Sequence, residues 1–376
     1  MRIVHVADSF APDVGGIERQ VETLVMRQRG AGHDVTVITA VAEPADLDLE
    51  LPVARAAKGR WLTVAFPWRN HRMVAAVLDD GAPIDVVHAH FTVISPLAIY
   101  VTREASRRHI PVAATVHSLW WQVAWATRIA TLPFGFGPMR AVWSGVSSVA
   151  AGHVRRTLSG VAEVSVVPNL VDTDWWRPDE PVGDNNTEAV RMILVGRLKK
   201  RKHIDEFIDV LARVRQRVPA GTKVQVDVVG DGPRRQDLQS QLERRGLTDW
   251  VTLLGHRSAA DVRTLLHEAD VFIAPSRQES FGIAALEARS AGLPVVGYRS
   301  TGLADFVADG VDGLLVADAA AMVEAIVALL RDREQLRRLR ATALRCPPPI
   351  RIEDAAHAVE QLYARARGAA SWKVSR

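Results

Sequence analysis

The chain has 376 residues, of which 48% are hydrophobic and 24% are charged, so it can bury a large core and exceeds the usual size of one domain. Its single cysteine excludes a disulfide framework within the chain, and its net charge of +4 is spread along the sequence, which argues against a nucleic-acid partner. The N-terminus does not resemble a secretory signal and no apolar run reaches about 18 residues, so we expect a cytoplasmic protein without a membrane span.

The first 40 residues predict a βαβ unit, with a strand over residues 2–7, a helix over 17–29 and a strand over 34–40. Gly15 and Gly16 lie between the first strand and the helix. Paired glycines at this position either let the backbone approach a diphosphate or a sugar closely, or form a tight turn that needs positive φ.

A strand over residues 84–90, a helix over 95–108 and a strand over 111–115 follow, and His117 comes directly after the last strand. A histidine beyond the carboxyl end of such a strand stands where open α/β sheets bind ligands, although a structural histidine is the alternative. His88 and His90 have no Cys or acidic partner at ligand spacing, so we do not predict a metal site there.

Two stretches are rich in aromatic residues. In residues 42–83, Trp61, Phe66 and Trp68 lie among basic residues, which suits either a membrane or single-stranded nucleic-acid surface, or an ordinary connecting segment. Residues 118–143 are consistent with a cradle for a lipid-bearing acceptor, a contact with a bilayer, or a cap over the core. The aromatic residues of this second stretch are Trp120, Trp121, Trp125, Phe134, Phe136 and Trp143.

Residues 172–187 are polar and rich in turn-forming residues, which predicts a linker between domains. Strands and helices then alternate again. The predicted strands are 191–195, 224–229, 251–254, 270–274, 295–298 and 314–316. This alternation is typical of parallel sheets covered on both faces.

We therefore predict an α/β protein with two doubly wound, Rossmann-like domains that face each other across a cleft. The first domain covers residues 1–170, and the second covers residues 188–350. An amphipathic helix over about 353–376, after a proline run, is free to pack back on the first domain.

The clearest binding signal is residues 275–297, which read PSRQESFGIAALEARSAGLPVVG. Ser280, Phe281 and Gly282 lie at a predicted helix start, where backbone N–H groups have no helical partner and can bind phosphate. Glu279 precedes the helix, and Glu287 lies about two turns into it. Carboxylates accept hydrogen bonds from sugar hydroxyls, so a sugar nucleotide satisfies both parts of the site.

A cationic segment, GRLKKRK, follows the first strand of the second half and includes Arg197 and Lys202. Such a cluster can stabilise the charge that develops on a leaving diphosphate, or it is a solvated basic turn. Gly230 and Gly232 form a lone GxG, which is too weak a signal for a dinucleotide site.

Several phrases of the sequence resemble those of retaining glycosyltransferases of family 4 with the GT-B fold. They are DSFAPDVGGIE, ATVHS, VPNLVD, VGRLKKRKHID, VVGDGP, VTLLGH and the 275–297 segment. The resemblance implies metal-independent, front-face transfer of a hexose, with mannose from GDP-mannose as the first choice. The implied acceptor is lipid-linked or a glycan and would bind the first domain, whereas the nucleotide-sugar donor would bind the second. No cofactor is implied beyond the nucleotide sugar, and contact with the cytoplasmic face of the inner membrane is expected.

The same resemblance implies catalytic roles for His117, Arg197, Lys202 and Glu279. His117 would touch the transferred sugar near its hydroxymethyl group, Arg197 and Lys202 would bind the diphosphate, and Glu279 would hold sugar hydroxyls. The remaining donor contacts are assigned to Gly15, Gly16, Leu254, His256, Ser280, Phe281, Gly282 and Glu287. Among these, Leu254 and His256 would lie near the nucleobase and Glu287 near the ribose.

Three positions depart from the family pattern: Leu170 and His203 replace expected glycines, and Thr301-Gly302 replaces an expected Gly-Gly turn. A UDP-sugar-dependent transferase and a sugar-nucleotide epimerase of the same fold are the enzyme alternatives. A two-lobed sugar-binding protein is the alternative without catalysis.

Overall fold

The computed structural model describes residues 1–13, 15–42, 51–56, 66–120, 140–158, 163–179 and 188–371. The chain divides into two units, Met1–Leu170 together with Glu353–Arg376, and Val171–Ile352. Each unit is built on one parallel sheet with helices between its strands. The predicted pair of doubly wound α/β domains is therefore confirmed.

The N-terminal unit has seven described strands, all paired in parallel. They are β1 (Arg2–Ala7), β2 (Asp34–Thr39), β3 (Val53–Arg55), β4 (Val86–Phe91), β5 (Val112–Val116), β6 (Val142–Gly145) and β7 (Val164–Val166). The order β3-β2-β1-β4-β5-β6-β7 reverses direction between β1 and β4. Such a reversal leaves a crevice beyond the carboxyl ends of the two strands, where α/β sheets bind ligands.

Four described helices accompany these strands: α1 (Gly16–Gly30), α2 (His71–Leu78), α3 (Pro96–Arg107) and α4 (Ser148–Thr157). Helix α1 buries Val21, Leu24 and Val25 on one face, because apolar residues recur at helical spacing. The central strands are buried along their whole length, since helices cover both faces of a doubly wound sheet.

The C-terminal unit has six strands in one parallel sheet. They are β8 (Val190–Val195), β9 (Val224–Val229), β10 (Val251–Gly255), β11 (Val271–Ala274), β12 (Val295–Tyr298) and β13 (Gly313–Val316). The order is β10-β9-β8-β11-β12-β13, so this sheet reverses between β8 and β11. The loops after β8 and β11 carry Arg197, Lys202 and Glu279, which the sequence singles out for donor binding.

The helices of this unit pack around a continuous apolar core. They are α5 (Thr173–Trp176), α6 (Ile204–Arg215), α7 (Arg235–Arg245), α8 (Ala259–Glu268), α9 (Ile283–Ser290), α10 (Ala319–Arg331) and α11 (Arg333–Arg345). Helix α5 occupies the start of the predicted linker, where the Asp172 side chain accepts a hydrogen bond from Trp175 N at 3.1 Å. The rest of that linker, residues 180–187, lies outside the described residues.

The last helix, α12 (Ile352–Ser371), belongs with the N-terminal unit. Three consecutive prolines separate it from α11, since proline cannot continue a helix. Tyr363 is buried and its hydroxyl lies 2.9 Å from His88 Nδ1, while Arg365 Nη1 lies 2.8 Å from Glu163 Oε1. None of the described helices combines the length and apolar character that crossing a bilayer requires.

Candidate active site

Lys202 and Glu279 form the charged centre of the C-terminal unit. Lys202 ends a 3-10 turn after β8, and Glu279 lies in the loop after β11. Their Nζ and Oε2 atoms are 2.7 Å apart, with 31% and 20% of the two side chains exposed. An ammonium has three donors, so Lys202 can hold Glu279 and still bind an anion that enters from solvent.

The glycine at 282 is required by the local structure. Gly282 has φ +97° and precedes α9, and no side chain caps the first turn of that helix. A Cβ at this position would lie 2.6 Å from Leu303 Cδ2. The N–H groups of the first turn, which no side chain caps, and the helix dipole together favour an anion.

The turn after β12 supports this loop from behind. Gly302 N donates to Glu279 O at 3.0 Å, and a Cβ on Gly302 would lie 2.3 Å from Ser280 O. Thr301, which stands where the family pattern has a first glycine, is fully buried and donates through Oγ1 to Tyr298 O at 2.6 Å. The Thr-Gly departure therefore keeps the glycine that the close approach needs.

The other predicted donor residues of this unit are divided between the surface and the interior. Arg197 and His256 are exposed and Leu254 is partly exposed. Glu287 is buried on α9, and Phe281 is buried against Phe306, with ring centroids 5.8 Å apart. The Phe281 side chain is thus part of the core, and only its backbone is placed to meet a ligand.

Two further glycines shape the basic loop after β8. Gly230 has φ +132°, and a Cβ there would lie 2.1 Å from Gly196 O. A Cβ on Gly232 would lie 2.6 Å from Leu198 O. The GxG pair is therefore needed for close packing of two loops, and this packing positions the cationic segment.

His203 occupies the family's glycine position at some conformational cost. Its φ of +54° and ψ of 32° place it in the left-handed region at the start of α6. A side chain in this conformation costs roughly 1 kcal/mol, which explains why glycine is the expected residue.

In the N-terminal unit, His117 follows β5 and donates its backbone N–H to Phe91 O at 2.8 Å. Its side chain is buried, and burial lowers its pKa to about 4, so the imidazole is neutral at pH 7. Gly15 has an extended backbone with φ −176°, so it does not form the positive-φ turn considered from the sequence. Gly16 is the exposed first residue of α1.

The structure adds a histidine cluster that the sequence did not predict. His5 pairs with His88 in the β1–β4 register, and His90 lies on the same strand as His88. Ligand atoms of these three buried histidines lie within 4.8 Å of one another, which is compatible in spacing with a metal. Each of their six ring nitrogens already has a protein hydrogen-bond partner. The expectation that no metal binds here stays a prediction.

The described aromatic residues of the two aromatic-rich stretches, 42–83 and 118–143, fall into two groups. Trp120 and Trp143 are buried in the core beside Phe91, so they are not available to a lipid acceptor or a bilayer. Phe66 and Trp68 are 40% and 50% exposed. Residues 121–139, with Trp121, Trp125, Phe134 and Phe136, lie outside the described residues, as does Trp61.

Comparison with known proteins matches each half of the chain to a glycosyltransferase family model. Residues 14–175 match the profile of Glycosyltransferase Family 4. Residues 189–332 match the profile of Glycosyl transferases group 1. The two matches together cover most of the chain.

Similar proteins extend over nearly the whole length. A glycogen synthase of Mycobacterium tuberculosis is 27% identical over 98% of this chain and 95% of its own. A GDP-mannose-dependent alpha-(1-6)-phosphatidylinositol monomannoside mannosyltransferase of the same species is 28% identical over 89% of this chain and 90% of its own. The solved structure of sucrose-phosphate synthase from Thermosynechococcus elongatus superposes with a TM-score of 0.78 at 22% identity, over 98% of this chain and 99% of that one. The chain is a glycosyltransferase with the GT-B fold that acts on nucleotide sugars, and its N-terminal half is similar to Glycosyltransferase Family 4.

Proposed function

We propose that this glycosyltransferase moves a hexose, with mannose from GDP-mannose as the first choice, to a hydroxyl of a lipid-linked or glycan acceptor. The observation that carries the proposal is the Lys202–Glu279 pair, held at 2.7 Å beside the glycine that begins α9. An ammonium, a carboxylate and a helix start without a side-chain cap match a ligand with both phosphate and hydroxyl groups.

The donor diphosphate would be bound by cations and backbone. Lys202 and the exposed Arg197 supply positive charge, and the N–H groups at Ser280, Phe281 and Gly282 supply hydrogen bonds. Glu279 accepts from hydroxyls of the sugar. Charge on the diphosphate grows as it leaves, so these contacts are stronger in the transition state than in the ground state.

Nucleoside contacts are proposed at both sides of this centre. The buried Glu287 on α9 accepts from the ribose hydroxyls, and Leu254 and His256, at the end of β10, lie beside the nucleobase. Support for this placement comes from topology, because β10, β8 and β11 all end at the same edge of one parallel sheet.

The N-terminal unit contributes Gly15, Gly16 and His117 in this proposal. The two glycines have no side chain to keep the donor away from the start of α1. His117 contacts the transferred sugar near its hydroxymethyl group. A neutral imidazole suits this role, since it has one acceptor and one donor and brings no charge next to the forming cationic carbon.

We propose transfer with retention and without a metal ion. The bond between the sugar C1 and the diphosphate oxygen breaks, and a bond from C1 to the acceptor oxygen forms on the same face. The acceptor proton passes to the leaving diphosphate, so no side-chain nucleophile is needed. Arg197 and Lys202 supply the charge that a metal would otherwise supply, and turnover should persist after dialysis against a chelator.

The choice of donor and acceptor rests on the names of similar proteins. Relatives of this chain include the mycobacterial mannosyltransferase that uses GDP-mannose and a phosphatidyl-myo-inositol mannosyltransferase of Mycobacterium leprae. The solved structure of Anabaena Alr3699/HepE, which superposes with a TM-score of 0.70, is a complex with UDP-glucose, so a UDP-sugar donor is the alternative. The exposed Phe66 and Trp68, beside Arg69, are consistent with work at the cytoplasmic face of a membrane.

A thermal-shift panel of GDP-, UDP- and ADP-sugars tests the donor class. A ligand that binds only the folded protein raises its melting temperature, and we expect the largest rise with GDP-mannose. If a UDP-sugar raised the melting temperature more than GDP-mannose did, that UDP-sugar would become the proposed donor. If no nucleotide sugar raised it, the proposal would be refuted. Incubation with the donor alone, followed by analysis of the sugar, separates a transferase from an epimerase.

A further inference from the structure

An unbroken chain of side-chain hydrogen bonds runs through the interior of the N-terminal unit. It starts at His117 and ends at the backbone carbonyl of Ala114. The first four contacts are His117 Nε2 to His90 Nδ1 at 3.0 Å, His90 Nε2 to His5 Nδ1 at 2.9 Å, His5 Nε2 to Gln28 Oε1 at 2.7 Å and Gln28 Nε2 to the Tyr363 hydroxyl at 2.9 Å. The last four are the Tyr363 hydroxyl to His88 Nδ1 at 2.9 Å, His88 Nε2 to Thr115 Oγ1 at 2.8 Å, Thr115 Oγ1 to Ser144 Oγ at 2.8 Å and Ser144 Oγ to Ala114 O at 3.1 Å.

The amide of Gln28 sets the direction in which protons are donated along this chain. Its Oε1 faces His5 Nε2, so that nitrogen carries the proton and His5 Nδ1 is an acceptor. His90 must then donate from Nε2 to His5, and His117 must donate from Nε2 to His90 Nδ1. On its other side, the Gln28 amide nitrogen donates to Tyr363, which is free to donate to His88.

The far end of the chain favours the same direction independently of the amide. In this direction Thr115 donates to Ser144, and Ser144 donates to Ala114 O, so every contact has a proton. In the opposite direction Thr115 gives its only proton to His88. Ser144 then has one proton for two acceptors, and one buried hydrogen bond is lost.

Burial keeps the members of the chain uncharged. It lowers the pKa of His5 and of His117 to about 4 and also lowers the pKa values of His88 and His90. It raises the pKa of Tyr363. Each imidazole therefore has one N–H and one acceptor nitrogen near neutral pH, and fixing one end of the chain fixes the other.

We propose that this chain holds His117 as the Nε2–H tautomer, with Nδ1 as a hydrogen-bond acceptor for a hydroxyl of the transferred sugar. The inference rests on the proposed role of His117 at the donor sugar. In the free enzyme the His117 side chain also hydrogen-bonds Asn169, whose amide group has both donors and an acceptor. Gln28 and Tyr363, which touch no substrate in this proposal, are positioning residues that act through His5 and His90.

The tautomer can be measured in the full-length protein, without substrate, by NMR of ring-15N-labelled histidine. The His117 signals are assigned by their loss in His117→Gln. We expect wild-type His117 to show a protonated Nε2 and an unprotonated Nδ1. In Tyr363→Phe the Gln28 amide loses its partner and can rotate, so His117 should gain a population protonated at Nδ1. Tyr100→Phe, which removes a hydroxyl outside the chain in the same unit, should match wild type.

Two results would overturn the proposal: a wild-type His117 protonated mainly at Nδ1, or a Tyr363→Phe spectrum identical to that of wild type. If Tyr363→Phe does not fold, Gln28→Leu applies the same test.

In sugar transfer we expect Tyr363→Phe to lower kcat by about tenfold, the scale of one misdirected hydrogen bond, with Tyr100→Phe unchanged. If a variant with a changed His117 tautomer kept the wild-type kcat, Gln28 and Tyr363 would not be positioning residues for sugar transfer. If the wild-type protein transferred no sugar, the proposed function would be refuted. The tautomer would still be tested, because NMR measures it without turnover.

Discussion

Lys202 Nζ lies 2.7 Å from Glu279 Oε2, although 77 residues separate them in the sequence. The contact joins the loops after β8 and β11, the two strands between which the sheet reverses direction. In Lys202→Ala or Glu279→Ala, we expect turnover to fall by more than about 100-fold, the scale of losing a transition-state contact. Steady-state assays of sugar transfer measure this loss.

A second Lys–Glu pair in the same unit provides the control. Glu188, just before β8, and Lys223, just before β9, form an exposed ion pair away from the carboxyl ends of the strands. Exposed pairs contribute little, so Lys223→Ala and Glu188→Ala should leave turnover within about twofold of wild type. Near wild-type turnover in Lys202→Ala or Glu279→Ala would remove the assignment of this site.

The glycine at the start of α9 should be needed for both stability and donor binding. Gly282→Ala places a Cβ 2.6 Å from Leu303 in a backbone with φ +97°, so the loop that carries Glu279 must shift. We expect a loss of about 1–3 kcal/mol in the free energy of unfolding and weaker binding of the nucleotide sugar. Denaturant unfolding and titration calorimetry measure the two effects.

Gly310→Ala separates backbone strain from the clash. Gly310 also has positive φ, at +75°, but nothing lies within 4 Å of a Cβ there. This variant should lose stability through strain alone and bind the donor normally. Equal donor affinity in Gly282→Ala and Gly310→Ala would show that the start of α9 is not part of the binding site.

Arg289 should be a large contributor to the stability of the C-terminal unit. Its side chain is fully buried on α9 and donates to Asp312 Oδ2 at 2.7 Å, Ala343 O at 2.8 Å and Cys346 O at 2.6 Å. Asp312→Ala leaves this guanidinium buried without its carboxylate, which typically costs about 3–5 kcal/mol. Urea unfolding of Asp312→Ala is the measurement. Glu324→Ala, which breaks the exposed pair with Arg217, should cost less than about 1 kcal/mol and calibrates the comparison.

The buried histidines make the N-terminal unit sensitive to acid. The unfolded chain binds protons below the ordinary histidine pKa of 6.5, whereas burial keeps His5 and His117 neutral until about pH 4 and lowers the pKa values of His88 and His90 as well. The unfolded state therefore binds more protons in this interval. The free energy of unfolding should fall as pH falls from about 6.5 toward 4, by on the order of 1 kcal/mol per pH unit for each histidine.

Hydrogen exchange can locate this effect. Amides of β1, β4 and β5 should lose protection between pH 6.5 and 4.5, after correction for the intrinsic exchange rate, more than amides of β8 and β9. The C-terminal strands serve as the internal control because the cluster lies in the N-terminal unit. Unchanged protection of β1 and β4 at pH 4.5 would contradict the neutral, buried state of the histidines.

Much of the fold could be predicted from the sequence, because continuous apolar strands alternate with helices and end in recognisable loops. The short edge strand Val53–Arg55 was not predicted, since three partly buried residues give no clear pattern. The 275–297 segment showed a helix start between two glutamates. It could not show that Glu279 pairs with Lys202, because that contact depends on which strands are neighbours in the sheet.

The histidine chain illustrates the same limit more strongly. His88 and His90 were visible on one strand, but their partners come from β1, from β5, from the residue that follows β5 and from the last helix of the chain. The sequence did contain a signal for the contact between His5 and His88. In a doubly wound sheet the first strand lies beside the fourth, which places His5 opposite His88. The contribution of Tyr363 has no such signal, because it depends on where α12 packs.

Lys202 and Glu279 hold the donor in the proposed function, and equilibrium binding of nucleotide sugars measures this contact without turnover. Calorimetric titration with GDP-mannose, and with UDP-sugars in parallel, compares the wild type with Lys202→Met and with Lys223→Met as the exposed control. We predict one donor bound per chain in the wild type and in Lys223→Met, and at least about tenfold weaker binding in Lys202→Met, equivalent to 1.4 kcal/mol or more. Equal affinity in Lys202→Met and wild type, or no binding of any nucleotide sugar to the wild type, would contradict the account.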